Sequence, residues 1–433
     1  MTRWSNWAGT ETATPAEVLT PGSVDELASA VRAAAASGKR LKAVGSGHSF
    51  TGCAVPAEVM VRLDGLASIE AADRATGRVV VGAGTPLHKL NQGLAGLDLA
   101  MANLGDIDQQ TLAGAISTGT HGTGARLGGL ATQVVGLNLV TATGEVVSCS
   151  ATEDPDLFHA ARISVGALGV LASLTLQCVP AYLLRAQEGP MPLAAVLDRF
   201  DELAEGNDHF EFYWFPHTAL ALTKRNNRVG PEVAAKPVGR FRGWLDDDLL
   251  SNRVFELTNR LGALRPSVVP RINAIASRAL TAREYVDASY RVFCTERNVR
   301  FKESEYAVPR AELPGVVREL RAWIDASGEH IPFPIEVRVA APDDVWLSTA
   351  YGRETAYVAI HQYHRLPHER YFAAFEAIAR AVGGRPHWGK LHTLKADDLA
   401  RSYPRFGDFL AVRERVDPQR VFANAYTRQV FGD

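Results

Sequence analysis

Two glycine-rich segments constrain the fold of this chain more than any other feature of its sequence. The first, Gly45-Ser-Gly-His-Ser49, follows the short apolar run Leu41–Val44, and the second, Gly114–Gly124, contains four glycines and three threonines. Glycine lets backbone N–H groups approach a phosphate closely, and Ser and Thr hydroxyls add donors. Either loop alone is explained as a tight turn between strands. Two loops, each with a histidine inside the glycine run, indicate a nucleotide-cofactor site that needs no lysine.

Other cofactor and metal motifs do not fit. Phe50 occupies the position of the third glycine in the dinucleotide fingerprint, and no helical pattern follows it, so a standard Rossmann site is not expected. The histidines at 361, 364 and 368 have helix-like spacing, but Pro367 and the β-like run 357–360 argue against a helix there. We therefore predict no metal site.

The length and the net charge of the chain indicate how many domains it has and which partners it does not bind. A single core seldom exceeds ~250–300 residues, so 433 residues predict two domains. The net charge of −2, from 46 basic and 48 acidic residues, leaves no electrostatic footprint for nucleic acid or an anionic membrane. The four cysteines are scattered without a C-x-x-C pair, which predicts a reduced, cytoplasmic protein.

No targeting or membrane-spanning segment is expected. The N-terminus lacks the basic-then-apolar pattern of a signal peptide. The uncharged run between Arg162 and Arg185 has the length of a span, but residues 173–179 alternate polar and apolar side chains like a half-buried strand.

Local patterns indicate an α+β chain. Ser23 and Glu26 predict a capped helix that stops at Gly38, and strand 134–140 is expected to pair with 145–149. Beyond Pro180 the sequence becomes richer in aromatic residues and arginine, and residues 311–326 and 369–382 are the clearest helices.

Two short segments carry further chemistry. Strand periodicity across residues 334–339 places Glu336 and Arg338 on one face, where they could hold a hydroxylated ligand or form only a structural salt bridge. Lys390 lies beside Trp388 and Leu391, so it either faces an anion or is an ordinary surface lysine.

These motifs, in their order, resemble a known family. They are 6-Asn-Trp-Ala-8, 44-Val-Gly-Ser-Gly-His-Ser-49, 103-Asn-Leu-Gly-Asp-Ile-Asp-108, 119-Gly-Thr-His-Gly-Thr-Gly-124, 130-Leu-Ala-Thr-Gln-Val-Val-135, 336-Glu-Val-Arg-338, 387-His-Trp-Gly-Lys-390, Asp417-Pro and 422-Phe-Ala-Asn-Ala-Tyr-426. The chain resembles the vanillyl-alcohol-oxidase-type flavoproteins and, within them, the sugar-1,4-lactone oxidases.

The resemblance implies a two-domain FAD protein. An FAD-binding domain of two small α/β subdomains is expected over residues 1–182, and a cap domain with an antiparallel sheet covered by helices over 183–400. Residues 401–433 are expected to return to the first domain. His48 matches the histidine that bonds covalently to the flavin in this family. The implied cofactor-binding residues are Gly45, Ser46, Gly47, His48, Ser49, Asn103, Gly114, Ser117, Thr118, Gly119, Thr120, His121, Gly122, Gly124, Val170 and Asn424.

The implied reaction is oxidation of the C2 secondary alcohol of an aldono-1,4-lactone by hydride transfer to flavin N5, with O2 or another electron acceptor reoxidising the flavin. The resemblance places Lys390 at the flavin N1/O2 edge and lets Glu336 and Arg338 clamp substrate oxygens. Which group accepts the hydroxyl proton is left open. The implied catalytic set is Lys390, Arg338, Glu336, His361, Asp106 and Gly105.

Alditol oxidases are close relatives and share the His48, Lys390 and Glu-x-Arg positions. They carry a serine where this chain has Asp106, and a threonine two residues beyond the His361 position, where this chain has Tyr363. These departures favour a lactone, with an alditol oxidase as the first alternative and a non-catalytic flavin- or sugar-binding protein as the second. A small residue at Gly105 is thought in this family to leave oxygen a path to the flavin.

Overall fold

The N-terminal part of the chain contains a three-stranded parallel sheet in this computed structural model, which describes residues 3–239, 252–295 and 297–432. Strand Val59–Arg62 lies between Glu17–Leu19 and Leu41–Val44, and it is parallel to both. Helix Val24–Ala36 connects the outer two strands, and the Ser23 hydroxyl accepts the Glu26 N–H at its start, as predicted. The last strand, Leu41–Val44, delivers the chain directly into the first glycine-rich loop.

A five-stranded antiparallel sheet follows. Val134–Val140 pairs with Val146–Ser150 across a turn in which Gly144 has φ +73°, which confirms the predicted hairpin. Val170–Gln177, from the long uncharged run, is the central strand and is buried along most of its length. The strand order is Val146–Ser150, Val134–Val140, Val170–Gln177, Arg78–Gly82, Ile69–Asp73.

An eight-stranded sheet forms the second large unit, and all its neighbouring strands are antiparallel. Its strand order is Arg283–Ala288, Leu183–Pro192, Leu220–Arg228, His209–Trp214, Ile335–Ala340, Thr355–Tyr363, Phe301–Pro309, Arg385–Pro386. His361 lies on strand Thr355–Tyr363, so the helix-like histidine spacing has no helix beneath it.

Helices cover one face of this sheet. They are Leu193–Asp198, Phe200–Glu205, Leu313–Ser327 and Glu369–Ala381. The last two confirm the helices predicted at 311–326 and 369–382, with residues 310–312 forming a 3-10 turn ahead of Pro314. Ile335, Val337 and Val339 are fully buried against this helical layer. The alternate side chains of that strand therefore point to the opposite face.

The C-terminal helices pack on the first unit. Leu399, Phe409 and Phe431 belong to the same buried cluster as Leu27 of the first helix. The Leu41 N–H also donates to the Val421 carbonyl at 2.9 Å. The tail helices are Ala396–Ser402, Phe406–Val416 and Ala425–Phe431. The domain boundaries expected at residues 182 and 400 stay predictions.

Shorter elements complete the fold. The remaining strands are the pairs Trp4–Ser5 with Thr12–Ala13 and Leu99–Ala100 with Val179–Pro180. Among the described residues, the remaining α-helices are Leu87–Ala95, Leu112–Ser117, Pro155–Ala161, Phe255–Leu264, Val269–Ala279 and Ser289–Phe293. In the described ranges, no helix combines the length and the apolar character that a membrane crossing needs.

Candidate functional site

A cavity of about 570 Å³ lies between the uncovered face of the eight-stranded sheet and the two glycine-rich loops. Residues of the glycine-rich loops and residues of the segments around Glu336 and Lys390 both line this cavity, although they are far apart in sequence. The predicted residues that line it are Ser46, His48, Ser49, Gly105, Asp106, Thr118, Thr120, His121, Glu336, Arg338, His361 and Lys390.

Two buried glutamates hold the half-buried Lys390 at the wall of this cavity. Its Nζ lies 2.5 Å from Oε2 of Glu303 and 4.0 Å from Oε2 of Glu305. Glu303 and Glu305 are two residues apart on strand Phe301–Pro309, so their side chains share one face of the sheet. Tyr306 points the other way and is buried against the helical layer, so the glutamates lie on the opposite, cavity face. Burial lowers the pKa of Lys390, but Glu303 and Glu305 outweigh burial, so the pKa is raised above its usual value. The lysine is therefore a fixed cation.

His121, from the second glycine-rich loop, is clamped beside this pair. Its Nε2 lies 2.5 Å from Oε1 of Glu305 and its Nδ1 lies 2.9 Å from the Gly122 carbonyl. The imidazole stacks on the Tyr357 ring, with 3.5 Å between the ring centroids. Burial raises the pKa of Glu305, but the contact with His121 reverses this and holds the pKa well below its usual value.

His387 completes this cluster. Ligand atoms of His121, Glu305 and His387 lie within 4.8 Å of one another, a grouping that the sequence did not predict. The Gly389 N–H donates to Nδ1 of His387 at 3.0 Å, which leaves the ring proton of the neutral form on Nε2. Burial lowers the pKa of His387 to about 4. The three side chains therefore form a buried group beside Lys390, in which His121 and Glu305 are joined by a hydrogen bond.

A second charged cluster surrounds Arg338. Its guanidinium contacts Glu336, and its Nε lies 3.0 Å from Oε2 of Glu211. Its Nη2 also lies 3.5 Å from Oδ2 of Asp106. The Tyr213 hydroxyl lies 3.1 Å from Oε1 of Glu336 and 3.2 Å from Oε1 of Glu211, so it can donate to either carboxylate. The strand face predicted from periodicity is therefore the cavity face.

The three carboxylates of this cluster differ in basicity. Burial raises the pKa of Glu336, and the neighbouring charges of Asp106 and Glu211 raise it further against the opposing effect of Arg338. For Asp106 and Glu211, burial acts the same way but the nearby cations prevail, so both pKa values are lowered. Glu336 is thus the most basic carboxylate of the three.

Arg297 connects the loop at Asp106 to the sheet. Its guanidinium contacts the Asp106 carboxylate and donates to the Tyr213 hydroxyl at 3.4 Å. The Thr295 N–H donates to the backbone carbonyl of Asp106 at 2.9 Å. Thr295 therefore holds the backbone of Asp106, and Arg297 holds its side chain.

His48 belongs both to the large cavity and to a smaller one of about 100 Å³ beside it. Its imidazole stacks against Trp7, with 5.8 Å between ring centroids. Burial and the charge of Lys390 lower its pKa, which favours the neutral, nucleophilic imidazole.

His361 and Gly105 line other parts of the large cavity. His361 Nδ1 lies 3.1 Å from the Pro334 carbonyl, and its Nε2 lies 3.5 Å from Oε1 of Glu303. A Cβ on Gly105 would lie 3.3 Å from the His121 carbonyl oxygen, a contact tighter than usual. A side chain at position 105 would narrow the cavity.

Sequence comparison identifies the family. Residues 174–430 match the family model described as D-arabinono-1,4-lactone oxidase, which is more than half of the chain. The chain belongs to this family. Residues 15–150 match a model described as an FAD binding domain. The chain is therefore an FAD-dependent oxidoreductase, and the resemblance inferred from its motifs is confirmed.

Full-length relatives agree. The chain is 43% identical over 431 residues to a protein named L-gulono-1,4-lactone dehydrogenase from Mycobacterium tuberculosis, with 99% of both chains covered. It is 33% identical to L-gulonolactone oxidase from Bos taurus, with 99% of this chain and 98% of the relative covered. Among solved structures, cholesterol oxidase from B. sterolicum matches with a TM-score of 0.82 at 17% identity, over 99% of this chain and 96% of that one. The last match confirms the predicted α+β, two-domain flavoprotein fold.

The smaller cavity fits the phosphate portion of FAD. Within the described ranges, the backbone N–H groups of Gly47, His48 and Ser49 donate no hydrogen bond to the protein, so they are free for an anion. Gly45 has no room for a Cβ, which would collide with the Thr111 hydroxyl. The predicted residues lining this cavity are Gly45, Ser46, Gly47, His48, Ser49, Gly114, Ser117, Thr118 and Val170.

Five predicted cofactor residues lie outside both cavities: Asn103, Gly119, Gly122, Gly124 and Asn424. Asn424 fixes the turn that follows the first loop, since its Nδ2 donates to the carbonyls of Gly52, Cys53 and Val55, that of Gly52 at 2.9 Å. Gly124 ties the second loop to the sheet through its N–H and the Val339 carbonyl, 2.8 Å apart. Gly122 packs directly on Asn103, where no Cβ would fit.

Several site residues escaped the sequence analysis, namely Glu211, Tyr213, Arg297, Glu303, Glu305 and His387. The spacing of Glu303 and Glu305 on a largely apolar strand could have indicated a site, because two carboxylates on one face of a buried strand need cationic or hydrogen-bonding partners. Arg297 could not have been recognised in this way, because it lies outside any helix or strand, between Ser289–Phe293 and Phe301–Pro309, and so has no periodicity.

Proposed function

We propose that this chain oxidises the C2 secondary alcohol of an aldono-1,4-lactone, of the L-gulono- or D-arabinono-1,4-lactone type. The observation that carries the proposal is the 43% identity over 99% of both chains to a relative named L-gulono-1,4-lactone dehydrogenase. The cavity supports it, because about 570 Å³ lies in the usual range for small-ligand sites and its wall is polar and charged.

Oxidation of an alcohol requires a hydride acceptor and a proton acceptor. When bound, FAD supplies the hydride acceptor. We assign the proton to Glu336, because its raised pKa makes it the most basic carboxylate around Arg338. Arg338 and Arg297 are the donors that would hold substrate oxygens, since both guanidinium groups line the cavity.

Lys390 is proposed to stabilise the negative charge that develops on the cofactor ring. A preorganised cation contributes most where water is excluded, and its charge is retained here because Glu303 and Glu305 raise its pKa. His361, fixed between Pro334 and Glu303, is proposed to position substrate.

We propose that His48 carries a covalent bond to FAD. The support is a neutral imidazole, stacked on Trp7 at the junction of the two cavities. Residues 1–182 and 401–433 are proposed to hold the cofactor, and residues 183–400 to cover its reactive ring. The four cysteines are free thiols, so the cytoplasm is the proposed compartment.

The electron acceptor is proposed to be O2 or an alternative such as a dye-like or protein acceptor. The relatives' names include both a dehydrogenase and an oxidase. Gly105 supports O2, since it leaves open the space that a Cβ would narrow.

Anaerobic rapid mixing tests the substrate. We expect L-gulono-1,4-lactone or D-arabinono-1,4-lactone to bleach the flavin absorbance, and xylitol to bleach it slowly or not at all. Bleaching by xylitol alone would make the chain an alditol oxidase, and a purified protein without flavin would point to a non-catalytic binding protein. Peroxide release and dye reduction, measured in parallel, identify the acceptor.

A further inference from the structure

Strand His209–Trp214 places two polar side chains on the cavity face of the large sheet. Glu211 and Tyr213 are two residues apart, so they share a face, while Phe212 between them is buried against the helical layer. Tyr213 lies directly opposite Glu336 in the register of the two neighbouring strands. Strand pairing therefore sets a tyrosine hydroxyl beside the proposed proton acceptor.

The Tyr213 hydroxyl lies between two carboxyl groups. Its oxygen is 3.1 Å from Oε1 of Glu336 and 3.2 Å from Oε1 of Glu211. A tyrosine has one proton to donate, so it can donate to only one of these groups at a time. The second contact becomes a hydrogen bond when that carboxyl group carries a proton and donates it to the tyrosine oxygen. Once Glu336 is protonated, the three side chains can therefore form a continuous series of hydrogen bonds.

This series leads from a buried group towards solvent. Glu336 is 6% exposed, so bulk water has little direct access to it. Lys224 lies opposite Glu211 on the next strand, and its Nζ is 3.5 Å from Oε1 of Glu211. The Lys224 side chain is 18% exposed. The far end of the series therefore lies beside a group that water reaches.

The two carboxyl groups differ in basicity in the direction that proton release needs. Burial and neighbouring carboxylates raise the pKa of Glu336, so it accepts a proton readily. Burial also raises the pKa of Glu211, but the charges of Arg338 and Lys224 outweigh burial, so the pKa is lowered. A proton that reaches Glu211 is therefore lost to water at neutral pH.

The tyrosine between them stays neutral. Burial, together with the charges of Glu211 and Glu336, raises the pKa of Tyr213 well above its usual value. Arg297 donates from Nη2 to the hydroxyl oxygen at 3.4 Å, which directs the tyrosine proton towards the carboxyl groups. A neutral hydroxyl can both accept and donate a hydrogen bond, as transfer of a proton through it requires.

We propose that Tyr213 relays the hydroxyl proton of the substrate from Glu336 to Glu211, from which it leaves to solvent beside Lys224. The proposal rests on the proposed function, in which an alcohol is oxidised and Glu336 accepts its proton. The substrate C–H bond breaks with its electron pair going to bound FAD, and the O–H bond breaks with its proton going to Glu336. Glu336 then protonates the Tyr213 oxygen while Tyr213 gives its own proton to Glu211. Release of a proton from Glu211 to water restores all three groups.

Anaerobic rapid mixing of the FAD-loaded protein with L-gulono-1,4-lactone, in weakly buffered solution with a pH indicator, tests the relay. Flavin absorbance reports hydride transfer, and the indicator reports proton release. We expect the two signals to coincide in the wild type. In Tyr213→Phe and in Glu211→Gln, proton release should lag behind flavin reduction by about tenfold or more, because the relay is interrupted.

The matched control is Tyr306→Phe. Tyr306 is also buried and donates to a carboxylate, that of Glu376, but it lies on the helical side of the sheet. Its two signals should still coincide. If proton release keeps pace with flavin reduction in Tyr213→Phe and Glu211→Gln, the relay is wrong while the proposed function stands. If the lactone does not reduce the flavin of the wild type, the proposed function fails and the relay fails with it.

Infrared spectroscopy of the substrate-free protein provides a readout that does not depend on turnover. Acidification should protonate Glu336, and the carbonyl stretch of its carboxyl group is identified as the band that Glu336→Gln lacks. Tyr213→Phe should shift this band to higher frequency, because the carboxyl group loses its hydrogen bond to the tyrosine. Tyr306→Phe should leave the band in place. A band that does not move in Tyr213→Phe would overturn the relay, because Glu336 would then not donate to Tyr213.

Discussion

Nζ of Lys390 lies 2.5 Å from Oε2 of Glu303, although 87 residues separate them in the chain. Glu303 lies on strand Phe301–Pro309, and Lys390 lies in the loop that follows strand Arg385–Pro386 of the same sheet. Both side chains line the cavity. The Glu303 carboxylate raises the pKa of Lys390 and so accounts for its retention of charge.

The first prediction concerns the charge of this lysine. Glu303→Gln removes the largest interaction that raises the pKa of Lys390, so that pKa should fall. The Lys390 ammonium would then lose its proton at a lower pH. The flavin reduction rate, which needs the charged lysine, should therefore decline at a lower alkaline pH than in the wild type. The pH profile of anaerobic reduction measures this. Glu376→Gln, a buried glutamate on the helical side of the sheet, is the matched control and should leave the profile in place.

Lys390→Met tests the cation itself. The substitution keeps most of the side-chain volume but removes the charge, so flavin reduction should slow by about 10²-fold or more. FAD should remain bound, because the glycine-rich loops and not Lys390 are proposed to hold its phosphates. Absorbance and stopped-flow reduction measure the two properties separately, and an unchanged reduction rate would contradict the proposed role.

Glu336→Gln tests the proton acceptor. The variant should reduce the flavin about 10²- to 10⁴-fold more slowly, the usual contribution of a general base. An acid with a raised pKa loses its basic form as the pH falls through that value, so the wild-type rate should decline at acid pH and the variant should lack this decline. Glu211→Gln is the control, because it also contacts Arg338 but has a lowered pKa. If Glu211→Gln removed the acid decline instead, the assignment would move there.

Arg297 and Asp106 should act as a unit. We expect Arg297→Gln and Asp106→Asn each to lower kcat/KM, and the double variant to cost less than the sum, with a coupling of about 0.5–3 kcal/mol. The expectation follows from their contact and from the Thr295 N–H that fixes the same loop. The exposed pair Arg318 and Asp198 is the control and should show no coupling in kcat/KM. Strict additivity at 297 and 106 would mean that the two side chains act independently.

His48→Ala tests the covalent bond. Acid precipitation should leave yellow colour with the wild-type protein and release it from the variant, since the proposed bond forms on the imidazole. Trp7→Phe is the companion variant, because it keeps an aromatic ring against His48 and should retain the colour. Colour that stays with His48→Ala would place the attachment elsewhere.

Periodicity correctly predicted which side chains of one strand share a face. Strand Ile335–Ala340 alternates strictly, so one face must be apolar and the other must carry Glu336 and Arg338. The glycine-rich loops were recognisable because their composition has a direct conformational meaning.

The sequence by itself determined the α+β class, the FAD cofactor and the family, because these depend on local patterns and on motifs in order. Only the tertiary structure decided the partners of the charged groups. Glu303 meets Lys390, Glu211 meets Arg338 and Arg297 meets Asp106 across elements that the sheet order brings together. Strand pairing and loop packing place these groups, and their pKa values follow from burial and neighbouring charge, which depend on the assembled fold.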